Sequence, residues 1–298
     1  MLTDFLDSWA LFGDAYAAGW LIAACLGVCG VLLAARDQIF LGAAVAQSTT
    51  LGLAVALTLG SALAAGTGAA LPDAHGHVHG PDAAWFASDR FALLVAVAFG
   101  ALGAWVTTWG GESGGESREA LTGWVFLLSG SGAVLLMTHS PHGLEEIKRL
   151  HAGTMLGATR QDLTWSACFA LAVAAVFLAR WRPILLQSVD PEHARACGIP
   201  VGRWNAGFLI ALGLGLTLAI RCAGTLYAFG CLALPALAAR HLCRELRGML
   251  VVAPIVAVLG AAAGFVAAHR FDWPPAHAAT AVLAALLPLA WLWRRLFA

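Results

Sequence analysis

Three histidines stand within five residues of the stretch LPDAHGHVHGPDAAW, residues 71–85: His75, His77 and His79. Imidazole nitrogens bind zinc, copper and nickel, and closely spaced histidines can converge on one ion. Glycine and proline interrupt the stretch, which is typical of a loop. The spacing favours a loop that captures or senses metal. The alternative is a flexible polar loop whose histidines bind nothing.

Four polar residues, Gln47 to Thr50, interrupt the apolar segment LGAAVAQSTTLG, residues 41–52. Serine and threonine hydroxyls can bond back to a carbonyl of their own helix, so Thr49 or Thr50 can be explained by helix packing alone. Inside a membrane, the run as a whole needs partners in the protein or beside water. We therefore expect it on a helix face that lines a pore or a helix interface.

Hydrolytic chemistry has no support in this chain. Its serines and threonines stand in apolar segments without a paired base and acid, and the GxxxxGK[ST] phosphate loop is absent from the sequence. We predict no catalytic residues and a protein that is not itself an enzyme.

The composition is that of an integral membrane protein. Of 298 residues, 60% are hydrophobic and only 11% are charged, whereas a soluble domain has about 25% charged residues. Such a chain cannot cover a solvated surface, so many apolar side chains must face lipid. The net charge is zero, which gives no electrostatic support to a nucleic-acid partner.

The apolar segments predict an all-α, polytopic bundle of eight or nine membrane-spanning helices. The seventh candidate is short and contains Pro235, so we expect it to be broken or re-entrant. We treat 1–298 as one transmembrane domain with a short amphipathic lead-in (1–13), an outer histidine-rich loop (66–90) and a cytoplasmic loop (181–203). The candidate spans are 17–35, 39–65, 91–109, 120–138, 163–180, 204–222, 224–239, 249–268 and 276–293.

Arginine and lysine placement sets the expected orientation, because cytoplasmic loops are enriched in these residues. With nine spans and the loop 181–203 inside, eleven basic residues fall on the cytoplasmic side and six outside. The amino terminus is then outside and the carboxyl terminus inside. Arg221, at the outer end of its span, is expected to extend toward the interface. The inner residues are Arg36, Arg118, Arg180, Arg182, Arg195, Arg203, Arg240, Arg244, Arg247, Arg294 and Arg295.

Acidic residues are almost absent from the predicted span interiors. Carriers driven by protons or sodium usually keep an ionisable residue near the midplane to bind the coupling ion. If this chain moves a solute uphill, its energy is expected to come from a separate ATPase.

Several segments, in order, resemble the permease subunits of the ABC-3 family, the bacterial zinc and manganese importers. GTLYAFGCLALPALAAR (224–240) is similar to the family's "G-x-L-…-LL-x-x-P-A-x-x-A-R" stretch. VDPEHARACGIPV (189–201) is similar to its "D-x-x-x-A-x-x-x-G-[VI]" cytoplasmic loop. Further resemblances are LGVCGVLLAARDQIFLGAAVAQSTTLG (26–52), HAGTMLGATRQDL (151–163) and HRFDWPPAHAATAVLAAL (269–286).

The resemblance implies a permease in the bacterial cytoplasmic membrane that forms a homodimer. It also implies a cytoplasmic ABC ATPase and an extracytoplasmic solute-binding protein as partners. The family's coupling element maps onto Asp190, Glu192, Ala194 and Gly198. Independently, DPEHARACG has an early proline, early acids and a late glycine, which favours a short capped helix. An ordinary connecting loop is the alternative.

One part of the chain departs from the family pattern. The family's second span typically carries Asp and His one helical turn apart, where this chain has Ala43 and Gln47; a histidine common in the fourth span is here Leu127. A neutral amide is a weak ligand for a dehydrated dication. The resemblance places the translocation path at Ala43 and Gln47, and we include Ser48 and Thr50 of the same polar run in it.

The expected function is that of a permease subunit that moves a divalent metal, zinc or manganese, inward. The metal is cargo, and no cofactor is expected to be bound permanently. Two alternatives remain open. The same scaffold could carry a metal chelate or another small solute, or the protein could be a membrane scaffold or sensor that no longer transports.

Overall fold

The computed structural model describes residues 2–66, 89–108, 118–138 and 159–297. This part of the chain forms helices and no strand, so the predicted all-α bundle is confirmed. Its helices are α1 (Leu2–Ala34), α2 (Ile39–Gly66), α3 (Asp89–Thr107), α4 (Arg118–Thr138), α5 (Arg160–Val189), α6 (Pro191–Ala196), α7 (Val201–Leu242), α8 (Leu246–Phe271) and α9 (Pro275–Phe297).

Every helix of this set except α6 is long and apolar enough to cross a membrane. Large apolar side chains point outward from them: Leu127, Leu171 and Leu178 are 66%, 71% and 78% exposed. Such side chains are stable on an outer surface only when lipid or another membrane subunit covers them. The protein is therefore a multi-pass membrane protein.

Helix α7 is interrupted at Gly224, whose backbone angles are φ 85° and ψ 170°. Glycine adopts a positive φ without the steric cost that a side chain imposes. We call residues 201–223 the first arm and residues 225–242 the second arm. Pro235, where the sequence suggested a break, lies within the helical second arm. The sequence suggested a break at Pro235, whereas the structure has it at Gly224, the first residue of the predicted segment 224–239.

The two arms of α7 run in opposite directions. Arg36 donates to Asn205 on the first arm at 2.8 Å, and Arg240 on the second arm donates to Asp37 at 3.1 Å. A straight helix would separate Asn205 and Arg240 by about 52 Å. Both nevertheless meet adjacent residues of the turn between α1 and α2. The eight long helices therefore make nine passes, which reconciles the two numbers that the sequence left open.

The contacts give the bundle two distinct ends. We call the end that holds residues 35–38 the turn end, and the opposite end the far end. Helix α5 starts at the far end, where Asp162 pairs with Arg221, and reaches the turn end, where Ser188 meets Arg36. The predicted cytoplasmic loop 181–203 is thus largely helical: α5 continues to Val189.

Helix α5 is nevertheless bent where the sequence placed the end of its span. Arg180 is non-helical, with φ −134° and ψ 27°. Three residues later, Pro183 lacks the N–H that would bond the carbonyl of Ala179, and its ring crowds that carbonyl. The bend separates the spanning part of α5 from a last segment that leads into α6.

Small residues and stacked rings hold the core together. Phe265 of α8 stacks on Tyr16 of α1 at 5.1 Å between ring centroids, and the Tyr227 hydroxyl donates to the Gly19 carbonyl at 3.0 Å. A methyl group at Gly30 would collide with the Leu232 carbonyl. Glycine thus lets α1 approach the second arm of α7 closely, as small residues do between membrane helices.

Candidate functional site

The polar run of α2 lies where α2 packs against α3 and α4. The Ser48 hydroxyl, 3% exposed, is 3.0 Å from the Ser129 hydroxyl of α4. On the other side of Ser48 is Gly103 of α3, where a methyl group would collide with this hydroxyl. A side chain as small as serine, facing a glycine, is what allows three helices to meet at this level.

The two threonines of the run are also buried, and they differ in their bonding. Thr50 donates back to the Ala46 carbonyl at 3.0 Å, which is the local bonding that the sequence suggested. Thr49 is fully buried and its hydroxyl has no hydrogen-bond partner among the described residues. It faces Gly100 of α3, so a Cβ there would lie 2.6 Å from the Thr49 hydroxyl.

Gln47 is the one member of the run that remains half-buried. Its Oε1 lies against Gly130 of α4, 3.4 Å from where a Cβ would be. Ala43, one turn earlier on α2, is 6% exposed. The structure thus brings Gln47 and Ser48 together with Ser129 and Gly130 of α4. The assignment of these residues to a translocation path stays a prediction.

The described residues hold no cluster of metal ligands. Within them, no three His, Cys, Asp or Glu side chains lie together as a metal site would require. The histidines predicted to meet metal, His75, His77 and His79, lie outside the described residues.

The predicted coupling element forms the short helix α6 with both ends capped. Asp190 is its N-cap and accepts from the His193 backbone N–H at 2.9 Å, and Pro191 occupies the first turn. At the other end, Gly198 has φ 78°. The Ile199 and Gly198 N–H groups donate to the Ala194 and Arg195 carbonyls. This pair of bonds is a Schellman motif, so the predicted short capped helix is confirmed.

The four residues mapped onto the coupling element have different surroundings. Ala194 is fully buried and anchors α6 to the bundle, whereas Asp190 and Glu192 are exposed. A Cβ at Gly198 would meet no neighbouring atom, but the positive φ of this residue is strained for any residue with a side chain. The helix thus has one face against the bundle and one face open at the turn end.

A groove of about 460 Å³ opens next to α6 at the turn end. One wall is the last segment of α5, and the other is the start of α8. The groove is mostly apolar, and the guanidinium groups of Arg182 and Arg247 lie over the Trp181 ring. The lining residues are Trp181, Arg182, Leu185, Leu186, Val189, Glu245, Leu246 and Arg247. The bend at Arg180 shapes this groove, because it sets the angle of the wall that α5 contributes.

Arg36 forms a polar junction that the sequence did not reveal. Its guanidinium donates to Asn205 at 2.8 Å and to Ser188 at 3.5 Å, and it lies 5.4 Å from the Phe208 ring centroid. Burial lowers the pKa of this guanidinium from its usual value, yet an arginine stays charged at neutral pH. In the sequence, Arg36 counted only as a basic residue of a short turn.

At the far end, Asp162 forms a second polar junction. It is 5% exposed and accepts from the Thr159 N–H and hydroxyl, each at 2.9 Å. It also accepts from Arg221 Nε at 3.0 Å. Arg221 thus bonds an acid inside the bundle, where the sequence suggested only a reach toward the interface. The signal was present: Asp162 stands at the start of a span that otherwise lacks acids.

Known membrane transport proteins are similar to this chain. Residues 8–294 match the model of a family described as the ABC 3 transport family. The manganese transport system membrane protein MntC of Halalkalibacterium halodurans is 23% identical over 97% of this chain and 90% of its own length. The chelated iron transport system membrane protein YfeD of Yersinia pestis is 30% identical, but over 43% of each chain.

A solved structure shares the fold. PsaBC from Streptococcus pneumoniae, in complex with Fab, superposes with a TM-score of 0.78 at 17% identity, covering 97% of this chain and 95% of that one. At this identity the likeness concerns the arrangement of helices. It agrees with the order of helices described above.

Proposed function

Because this chain belongs to the ABC 3 transport family, we propose that it is the membrane-spanning permease subunit of an ATP-driven importer. The observation that carries the proposal is α6, a short helix capped at both ends, anchored by one buried residue and open on its other face. A rigid helix placed between two spans can receive a push from a partner and pass it on as a rigid-body movement. The whole chain is proposed to act as one transmembrane domain.

The turn end is proposed to face the cytoplasm. Among the described residues, eleven arginines lie at the turn end and four (Arg90, Arg160, Arg221 and Arg270) at the far end. Cytoplasmic segments of bacterial membrane proteins carry such an excess. This orientation puts α6 and the groove beside it within reach of a cytoplasmic ABC ATPase, and the far end within reach of an extracytoplasmic solute-binding protein.

Gln47 supports a path along α2 and a second copy of the subunit. It stands eight residues after the start of α2, about 12 Å into the membrane. An amide at that depth is unfavourable against lipid, so a half-buried one belongs beside a water-filled path or another protein surface. We propose that Gln47 faces this path and that the buried Ala43, Ser48 and Thr50 form the helix packing directly behind it; a second permease copy completes the path.

A divalent metal, zinc or manganese, is the proposed cargo. Relatives of this chain are described as manganese, zinc and chelated iron transport membrane proteins. We propose that the loop with His75, His77 and His79 captures metal at the outer surface. A chelated metal is the second candidate, because Ala43 and Gln47 offer no charged ligand and a chelate arrives already coordinated.

Reconstitution tests the proposal. The permease would be placed in liposomes with its cognate ATPase and binding protein, and uptake of radioactive zinc, manganese and chelated iron would be followed. ATP-dependent uptake of a free divalent metal is the expected result. Uptake of the chelate alone would favour the second candidate. If no cargo entered and no metal stimulated ATP turnover, a scaffold or sensor would replace the importer. An ATPase variant unable to hydrolyse ATP is the control.

A further inference from the structure

The turn between α1 and α2 lies where three elements meet. It consists of residues 35–38, and its Arg36 side chain reaches the end of α5 through Ser188 and the first arm of α7 through Asn205. Ser188 stands two residues before Asp190, the N-cap of α6. After the turn, α2 begins at Ile39 and carries the polar run. Arg36 is therefore in contact with the segment that leads into α6 and covalently close to the helix that bears Gln47.

The two hydrogen bonds of Arg36 differ in length. The bond to Asn205, at 2.8 Å, is short, whereas the bond to Ser188, at 3.5 Å, is at the limit for a hydrogen bond. The guanidinium is thus held firmly on α7 and loosely on α5. A movement of α6 would reach this junction through α5, at the weaker of the two bonds.

Unused hydrogen-bonding groups lie on both sides of that weaker bond. Arg36 Nε and Gln187 Oε1 are buried and have no partner among the described residues, and Gln187 precedes Ser188 directly. Gln187 is 4% exposed. An unpaired buried polar atom is costly, so a shift of the end of α5 that gave these two atoms partners would be favourable. A junction that would gain hydrogen bonds from such a shift has the property that a switching element needs.

From these contacts we infer that Arg36 is a positioning residue that passes a displacement of α6 to α2. The inference rests on the proposed transport function, because it assigns to Arg36 the step between ATPase docking and the path. The guanidinium is suited to this because it is planar, permanently charged and able to donate in several directions at once. Loss of the guanidinium is expected to uncouple ATPase docking at α6 from movement of α2, while the docking site and the path both remain.

The fold offers a reason why Arg36 can be replaced without loss of the bundle. Asp37, the next residue, is held by Arg240 of the second arm at 3.1 Å, and this pair is exposed. The turn would therefore keep one polar contact with α7 after Arg36 is removed, and the close packing of Gly30 against Leu232 does not involve Arg36. Arg203, an exposed arginine on the first arm near Asn205, is a matched control that removes the same charge at the same end.

The first test compares uptake with ATP hydrolysis in reconstituted transporter. For Arg36→Ala, cargo moved per ATP hydrolysed is expected to fall about ten-fold while ATP hydrolysis persists. Asn205→Ala keeps the arginine but removes its firm acceptor, and a smaller fall is expected. Asn205→Asp keeps an acceptor and should retain coupling, as should Arg203→Ala. A wild-type ratio in both Arg36→Ala and Asn205→Ala would overturn the inference.

The second test does not depend on cargo. Spin labels at Leu57→Cys of α2 and Leu289→Cys of α9 report movement of α2. A label on Cys197, the C-cap of α6, paired with the same α9 position reports movement of α6. The exposed Cys168 and the half-buried Cys243 would be replaced by serine in both pairs, and Cys197 in the α2 pair.

In the wild type, nucleotide binding to the docked ATPase is expected to change both distances. In Arg36→Ala, the α6 distance should still change and the α2 distance should not. A change in both would overturn the inference. If the wild type takes up no cargo in the first test, the proposed function fails, while these distances still decide the role of Arg36.

Discussion

Arg221 donates through Nε to Asp162 Oδ1 at 3.0 Å, three residues before α7 reverses at Gly224. The carboxylate is almost fully buried and the guanidinium partly so. The pair therefore fixes the far end of the first arm against the start of α5. The reversal of α7 is thus supported by a polar contact as well as by the glycine.

Removal of the acid should destabilise the fold. Asp162→Ala leaves Arg221 partly buried without this acceptor, and we expect a loss of about 1–3 kcal/mol. Reversible unfolding in mixed micelles would measure it. Arg160→Ala is the matched control: it breaks the pair with Asp14 at the same end, in which the arginine side chain is 92% exposed, and should change stability little. Equal effects of the two variants would contradict the role given to Asp162.

A side chain at the reversal should also be costly. Gly224→Ala places a Cβ at φ 85°, and we expect a loss of about 1–3 kcal/mol. Gly207→Ala on the first arm meets nothing within 4 Å and should be neutral or slightly stabilising, because alanine favours the helix. Unfolding of the two variants under the same conditions compares them. A stable Gly224→Ala protein would mean that the reversal tolerates a different backbone geometry.

Gln47 should affect cargo binding if it lies on the path. Ala43→Asp with Gln47→His adds a carboxylate and an imidazole one turn apart, so we expect tighter binding of zinc or manganese. Calorimetry on the purified permease would detect the change. Thr58→Ala, whose hydroxyl donates to carbonyls of its own helix, is the control on α2. An unchanged metal profile in the double variant would place the path elsewhere.

The cap of α6 should matter for coupling. Asp190→Ala removes the side chain that accepts from the His193 N–H, which costs about 1 kcal/mol of helix stability. We expect weaker stimulation of the partner ATPase by the permease, measured as phosphate release. Glu119→Ala is the control, since Glu119 is an exposed acid in the first turn of α4, at the same end of the bundle, and does not line the groove. The same response in both variants would show a general charge effect.

The outer histidines should matter when metal is scarce. Replacement of His75, His77 and His79 by alanine removes three imidazoles, so we expect slower uptake at low metal concentration and unchanged uptake at saturation. Initial uptake rates over a range of metal concentrations would show this. His269→Ala, also in the predicted outer region, is the control. Deletion of 74–80 with no effect on metal affinity or uptake would remove the capture hypothesis.

Sequence patterns were sufficient for the spans, because apolar length is a local property of the chain. They also predicted the capped helix at 190–198, whose signals are adjacent residues. The position of the reversal was not predicted correctly. Pro235 suggested a break in the helix, but the chain reverses at Gly224. Many glycines of this chain serve close packing, so composition alone does not distinguish the one that adopts a positive φ.

The polar junctions were the least predictable part. Arg36 meets Asn205, and Asp162 meets Arg221, across 169 and 59 residues of sequence. Such partners are brought together by packing of helices far apart in the chain. The apolar segments on either side of Arg36 placed it at a membrane boundary. They did not identify Asn205 and Ser188 as the groups that accept its hydrogen bonds. The same limit applied to Ser48, whose partner Ser129 lies on α4.

The reversal of α7 has a consequence for protein engineering. Because the described helices make an odd number of passes, the start of α1 and the end of α9 lie at opposite ends of the bundle. Two copies joined head to tail by a short soluble linker would therefore be inserted with opposite polarity. A single-chain tandem that keeps both copies parallel needs one additional crossing segment between them, whereas an enzyme fused after α9 would share its compartment with α6.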